Sequence, residues 1–162
     1  MLIREAVRGE SDELSRLAMR SKAYWGYDDV FLAACRRDLT ITEKMLSCRP
    51  TFVAVDAEGT IRGFSQVILS RPAAVLDYLY IDPSWMGRGL GSALFSKATA
   101  AARHYGATRL QWDADPHAVD FYRRQGAFLN GRAESTSVPG RFLPSMAISL
   151  TETHARRVEE TT

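Results

Sequence analysis

The densest chemistry in the chain lies in Asp77-Tyr-Leu-Tyr-Ile-Asp82-Pro-Ser-Trp-Met86-Gly-Arg-Gly89-Leu-Gly91-Ser-Ala-Leu-Phe95. An apolar strand runs into Asp82-Pro83, a glycine-rich turn follows, and a long helix begins without a break. Successive backbone N–H groups at such a turn, with the positive end of a helix behind them, form a cradle for phosphate oxygens. Glycines let the backbone approach a diphosphate without side-chain clash. The dinucleotide pattern Gly-x-Gly-x-x-Gly does not fit, because its last position falls on Ser92 or Leu94. The P-loop tripeptide Gly-Lys-Ser/Thr is absent from the sequence. On the glycines alone, a phosphate cradle and a plain tight turn before a helix are both open readings.

Composition narrows the class. The chain has 162 residues, 46% hydrophobic and 25% charged, with a formal net charge of +2. That describes one soluble globular domain over residues 1–152, followed by a polar tail at 153–162. Basic residues are scattered, which argues against a dedicated nucleic-acid surface; the dense pair near a candidate site is Arg123-Arg124. The longest apolar run, Val30 to Cys35, is too short to span a bilayer, and the N-terminus lacks a signal-peptide layout. Cytoplasmic residence without membrane attachment is the expectation. Cys35 and Cys48 show no metal-ligand spacing with His104, His117 or His154, so no metal is expected and both thiols are expected to be reduced.

The elements that must position the turn can be read from periodicity and caps. Leu2 to Val7 reads as a strand. Ser11 is placed to cap a helix to Ala23 with Leu14, Leu17 and Ala18 on one face. Tyr24-Trp-Gly-Tyr27 breaks it, and Asp28 or Asp29 caps a second helix through Arg37. A third short helix ending at Pro50 is either separate or an extension of the second. Strands at Thr51 to Val55, Ile61 to Leu69 and Ala74 to Ile81 make a meander. The helix from Gly89 to Tyr105 has Leu90, Leu94, Ala98, Ala101, Ala102 and Tyr105 at helical spacing for burial. Thr108 to Trp112 is a strand, Asp115-Pro116 starts a helix, Gln125-Gly126 ends it, and Ala127 to Gly131 and Phe142 to Leu150 close the chain as strands. The order β-α-α-β-β-β-α-β-α-β-β demands an α/β mixed sheet with helices on both faces.

A second motif, Asp115-Pro-His-Ala118-Val-Asp-Phe121-Tyr122-Arg-Arg-Gln-Gly126-Ala-Phe128, follows the glycine turn on the expected elements. With the element order, the two motifs resemble the GNAT superfamily of acyl-CoA-dependent N-acyltransferases over nearly the whole chain. The family's turn, Arg/Gln-x-x-Gly-x-Gly/Ala, reads here as Met86-Gly-Arg-Gly89-Leu-Gly91. The family's Asn-x-x-Ala-x-x-Phe-Tyr reads as Asp115, Ala118, Phe121 and Tyr122. Met86 departs from the usual polar or basic residue, and Asp115 replaces Asn.

The resemblance implies an acetyl-CoA-dependent N-acetyltransferase acting on a primary amine of a small molecule or peptide by direct attack. It implies that Leu79, Tyr80 and Ile81 offer backbone bonds to the pantetheine arm. The diphosphate would lie on the N–H groups of Gly87, Arg88, Gly89, Leu90, Gly91 and Ser92, with Met86, Asp115 and Phe121 also at the coenzyme. Arg88 is either a phosphate contact or a solvated arginine, and Asp115 either touches coenzyme or simply caps its helix. Tyr122 matches the family's general acid; a phenol exchanges a proton usefully with a thiol. Asp77 matches a strand carboxylate that often serves as base, against the alternative of an ion-paired strand residue. Tyr24, Trp25, Tyr27 and Arg141 would line the acceptor pocket, Trp25 having a core role as its alternative, and Ser65 and Gln66 are further polar candidates. A homodimer fits family habit. A non-catalytic acyl-CoA sensor and a nucleic-acid-directed acyltransferase are the competing classes, the latter disfavoured by the low net charge.

Overall fold

The computed structural model describes residues 1–151, so the expected tail at 153–162 lies outside the described residues. The chain forms β1 (Leu2–Glu5), α1 (Ser11–Ala23), α2 (Asp29–Cys35), α3 (Glu43–Cys48), β2 (Thr51–Val55), β3 (Ile61–Ile68), β4 (Ala73–Ile81), α4 (Leu90–Tyr105), β5 (Arg109–Asp113), α5 (Val119–Arg124), β6 (Phe128–Glu134) and β7 (Phe142–Ser149). Single 3₁₀ turns, Pro83–Trp85 and Pro116–Ala118, precede α4 and α5. The strands make one seven-stranded mixed sheet, as the sequence demanded, and their order is β1-β2-β3-β4-β5-β7-β6. The β4–β5 pair is parallel, joined through α4.

Each face of the sheet carries its own core. Leu14 and Leu17 of α1 pack on Val53, Phe64 and Tyr78. On the other face, Phe95, Ala98 and Ala102 of α4 meet Leu110, Trp112 and Met146, and Tyr122 of α5 joins them. Phe95 is 3% exposed, whereas Tyr105, expected inside, is 43% exposed. Arg71 covers the Tyr105 ring instead, its guanidinium 5.2 Å from the centroid. Ala101 is only partly buried.

The short helices differ from expectation in instructive ways. Ser11 is the first residue of α1 rather than its cap. Its hydroxyl donates to Glu43 Oε1 at 2.7 Å, and the same carboxylate accepts from the Gly9 N–H at 3.0 Å. A carboxylate from α3 thus does what a local cap would have done. The third helix is separate from the second: Asp28 caps α2 by accepting from Phe31 N at 2.8 Å, and Thr42 caps α3 by accepting from Met45 N at 3.2 Å.

Two features of β4 shape everything downstream. Gln66 pairs with Tyr78 but Val67 with Leu76, so Asp77 is an extra residue, a bulge. A bulge bends its strand and increases the local twist. Pairing with β5 covers only Ala73 to Val75, after which the two parallel strands part. Beneath α4, β3 carries Gly63, where a Cβ would lie 2.8 Å from Ile81 Cδ1, 3.0 Å from Leu94 Cδ1 and 3.2 Å from the Tyr80 carbonyl oxygen. The carbonyl belongs to the paired strand and cannot swing away. Gly63→Ala is expected to destabilise the fold by about 1–3 kcal/mol, the usual cost of overpacking, as read by urea unfolding; unchanged stability would mean that α4 does not press on β3 there.

Candidate active site

A cavity of about 500 Å³ opens where β4 and β5 part. Its floor is Asp77 and Leu79 to Ile81 of β4, with Trp112 to Asp115 across the gap. Past Val75 the β5-facing edge of β4 has no strand partner. Backbone donors and acceptors that no strand satisfies need another partner, and an extended polar ligand arm suits them.

The glycine turn closes one end. Asp82 accepts from Ser84 N at 3.0 Å and fixes the 3₁₀ turn that leads into it. Gly89, the residue preceding α4, has φ +85°, a left-handed conformation that other residues rarely adopt. A Cβ built there meets nothing within 4 Å, so the glycine faces open space. No side chain caps α4, which leaves its first N–H groups to be satisfied from outside the helix. Met86, Gly87, Gly89, Leu90, Gly91 and Ser92 all line the cavity. Arg88 does not: its guanidinium lies over the Trp85 ring, 4.5 Å from the centroid. Gly91 admits the Phe121 ring, whose atoms would come within 3.1 Å of an added Cβ.

Tyr122 enters from α5. It is 7% exposed, lines the cavity, and sits among Trp112, Phe121 and Phe95 at ring-centroid distances of 4.7, 5.1 and 5.8 Å. Its hydroxyl has no hydrogen bond to the described residues, and burial together with the charge of Asp115 pushes its pKa up. The group is a protonated phenol with its donor uncommitted. Asp77, on the bulge, also lines the cavity. Burial raises its carboxyl pKa, Arg49 opposes the rise, and Asp38 adds to it. Arg49 Nη1 donates to Asp77 Oδ2 at 2.8 Å, a pair that the sequence reading left as an alternative.

Asp115 is the hub of the face formed with the α1–α2 corner. Lys22 Nζ donates to Oδ2 at 2.6 Å and Tyr27 OH to the same oxygen at 2.8 Å. His117 Nδ1 lies 2.8 Å from Oδ1, and the His117 N–H donates to it at 2.9 Å. Arg141 Nη2 donates to Tyr27 OH at 2.9 Å and stands 3.8 Å from Oδ2. Trp25 stacks on His117 at 4.8 Å. Burial pushes the Asp115 carboxyl up, but the bonds from Lys22 and the His117 N–H and the Lys22 charge outweigh it and hold the carboxyl at about 2. Asp115 does cap its turn, as one reading had it, and it also ties four segments together.

Of the four residues expected at the acceptor pocket, Trp25 lines the cavity, while Tyr27 and Arg141 are engaged in the hub above it. Tyr24 is 55% exposed and packs edge-on against Trp25. Ser65 and Gln66 are fully buried and bonded, to the Leu94 carbonyl oxygen and to Thr51 Oγ1, so they are core groups rather than acceptor contacts. Sequence reasoning missed Lys22 and His117. The one available signal was the charge of Asp115 itself, which called for a buried cation. Among the described residues, no group of three or more His, Cys, Asp or Glu could hold a metal ion, and no helix is long and apolar enough to cross a membrane.

A parted parallel pair, an uncapped helix behind a glycine turn and a tyrosine between them are the features the resemblance required. The model of the "Acetyltransferase (GNAT) family" matches residues 14–127, more than half of the chain. The chain belongs to the GNAT acetyltransferase family. Acyl transfer is therefore its general chemistry. The GNAT fold is also found in similar solved structures. A GCN5-related N-acetyltransferase from Rhodopseudomonas palustris superposes with a TM-score of 0.75 at 23% identity, covering 91% of this chain and 94% of that one. An aminoglycoside 6'-N-acetyltransferase complexed with coenzyme A gives 0.71 at 19% identity, covering 94% and 99%. The ribosomal-protein-S18-alanine N-acetyltransferase of Escherichia coli gives 0.69 at 14% identity, covering 96% and 97%. At these identities the likeness is one of fold. No curated protein sequence matches the chain significantly.

The hub makes a pH prediction for this GNAT domain. The folded pKa of Asp115, about 2, lies below its ordinary 3.8. Its stabilisation is thus complete above about pH 4 and is lost as pH falls through 2. Wild type should exceed Asp115→Asn by about 2 kcal/mol in urea unfolding at pH 7, from the size of the shift, and the gap should shrink between pH 4 and 2. A gap independent of pH would mean that the carboxylate charge does not hold the hub.

Proposed function

We propose that the protein is an acetyl-CoA-dependent N-acetyltransferase that moves an acetyl group to a primary amine of a small molecule or peptide by direct attack. The observation that carries the reading is Tyr122, a buried phenol with its proton uncommitted, set between the parted strands and beside the uncapped start of α4. The residues present fit the coenzyme. The unpaired β4 edge at Leu79, Tyr80 and Ile81 suits the amides of a pantetheine arm. The open glycines, with the N–H groups of Leu90, Gly91 and Ser92, suit a diphosphate. Phe121 and Asp115 wall the arm from the α5 side. Arg88, parked on Trp85, is available to the phosphates from there, which offsets the loss of a basic residue at Met86.

Acetyl-CoA supplies an activated thioester carbonyl. The acceptor ammonium first loses a proton, for which Asp77 is the candidate group, directly or through water; its raised pKa helps and its pairing with Arg49 works against it. The neutral amine attacks, a C–N bond forms and the C–S bond breaks. Tyr122 Oη gives its proton to the departing sulfur and regains one from the nitrogen, which became cationic when the C–N bond formed and turns into the neutral amide on losing it. Burial keeps the phenol protonated until sulfur departs, and the same rise in its pKa widens the gap from the thiol, which works against the transfer. Two free thiols, Cys35 buried and Cys48 exposed, fit a reducing, cytoplasmic setting.

The Arg49–Asp77 pair favours one other reading, a non-catalytic acyl-CoA sensor, since it occupies the candidate base. CoA release from acetyl-CoA across a panel of amines separates the two. For the transferase, Tyr122→Phe should lower kcat by roughly 10²-fold or more, the usual worth of a general acid, with calorimetric acetyl-CoA affinity unchanged; equal turnover would remove Tyr122 from the mechanism. Gly89→Val should abolish coenzyme binding in a folded protein, because it forces a branched side chain into a left-handed turn and into the cradle. Normal affinity in that variant would sink the phosphate assignment.

A further inference from the structure

Trp112 is 5% exposed, and its Nε1 is the one buried side-chain nitrogen or oxygen among the described residues that has no hydrogen-bond partner. A buried indole N–H ordinarily finds an acceptor. Left unpaired it costs free energy, so its presence calls for an acceptor that arrives in another state of the protein.

The place of Trp112 in the fold says which acceptor that is. β4 and β5 are paired as far as Val75 and Gln111, so Trp112 is the first residue of β5 past the point where the strands part. Its backbone is held from the other side by Met146 of β7. Its ring meets Phe95 at 5.4 Å and 75°, and Tyr122 at 4.7 Å with a tilt of 48°. Within the core cluster around Trp112, Tyr122 alone carries a side-chain oxygen. Both residues line the cavity. The two rings are in contact, which leaves only side-chain torsions between the resting arrangement and a bond from Nε1 to Oη.

Two uncommitted donors side by side are poorly matched at rest and well matched once one of them loses its proton. Tyr122 acts as an acid only by becoming a phenolate, which burial and the charge of Asp115 both disfavour. The cations of the hub, Lys22 and Arg141, are engaged by Asp115 and Tyr27. An N–H donor answers the need, because a hydrogen bond to an ionised oxygen is about twice as strong as one to a neutral oxygen. The indole gives that support without adding a charge to an apolar core.

We infer that Trp112 is a positioning residue for Tyr122: its indole N–H donates to Tyr122 Oη when bound coenzyme turns the phenol proton toward sulfur, and holds the phenolate while that proton is away. This rests on the transferase reading above and deepens it. The O–H bond of Tyr122 breaks as the S–H bond of free CoA forms, and the negative charge passes from sulfur to Oη. The indole keeps its own proton throughout, and the phenolate is neutralised by the proton from the cationic nitrogen.

Three tryptophans, Trp25, Trp85 and Trp112, give three indole signals in a proton–nitrogen correlation spectrum, and the one lost in Trp112→Phe identifies Trp112. On saturation with coenzyme A, that proton should move downfield in wild type and stay in place in Tyr122→Phe. No movement in wild type overturns the inference. Equal movement in both proteins also overturns it, since the acceptor would then be the coenzyme. Trp112→benzothienylalanine replaces the N–H by sulfur and keeps the shape of the ring. Its stability in urea should be no lower than that of wild type; a clear loss would mean that the N–H is already bonded at rest, and overturns the inference. Its kcat for CoA release should fall by about tenfold or more, as for the loss of one donor to a developing oxyanion, with the KM for acetyl-CoA unchanged. Adding Tyr122→Phe should cost nothing beyond Tyr122→Phe alone. Unchanged kcat, or losses that multiply in the double variant, overturn the inference and leave the transferase standing. Wild type that binds acetyl-CoA by calorimetry but releases no CoA with any amine overturns the transferase reading, and the inference falls with it.

Discussion

The parting of β4 from β5 is the constraint on which the rest of the molecule depends. Two parallel strands that begin in register are pulled apart because β4 carries one residue too many against β3. The bulge costs one ladder position and turns the strand away from its neighbour. Everything with chemical potential then collects around that gap: the start of α4 at one end, Tyr122 and Trp112 on one wall, Asp77 on the bulge itself, and the hub on the far side. A straight β4 would continue its ladder with β5 past Val75 and narrow the gap with backbone hydrogen bonds.

Asp115 shows how one changed residue reorganises a site. A neutral amide at this position could cap the turn before α5, but it would not attract a buried lysine. The carboxylate does, and Lys22 in turn sits 10% exposed at the end of α1. Removing either partner leaves the other as a buried unpaired charge, which is far more costly than losing a surface ion pair. The turn before α5 and the α1–α2 corner are therefore joined through a single side chain.

The sequence made the element order, the glycine turn and the caps at Asp28 and Asp115 legible, because each is specified within a few residues. The inner face of α4 was legible at Leu94, Ala98 and Ala102, where the helical period and the sheet coincide. It was wrong at Tyr105, which keeps the helical period but meets Arg71 at the surface instead of the core. The short helices α2 and α3 were blurred because their separation depends on Thr42 and on Glu43 reaching back to Gly9 and Ser11. Tyr122, Asp77 and the turn residues were named by resemblance, and the structure brings all of them but Arg88 to one cavity. Their partners were hidden: Lys22 meets Asp115 across 93 residues and Arg49 meets Asp77 across 28, separations at which a single sequence carries no pairing signal.

The sheet has two kinds of strand edge, and they carry different hazards. β6 is an outer edge, largely exposed; Arg132 and Glu134 and the irregularity at Gly131 blunt it against pairing with other chains. The β5-facing edge of β4 is as capable of recruiting a partner, yet it lies inside the fold. β5 does not pair with it beyond Val75, and residues of α4 and α5 flank the gap. The protein thus keeps a sticky strand edge permanently on offer to a narrow, flexible ligand and shields it from aggregation.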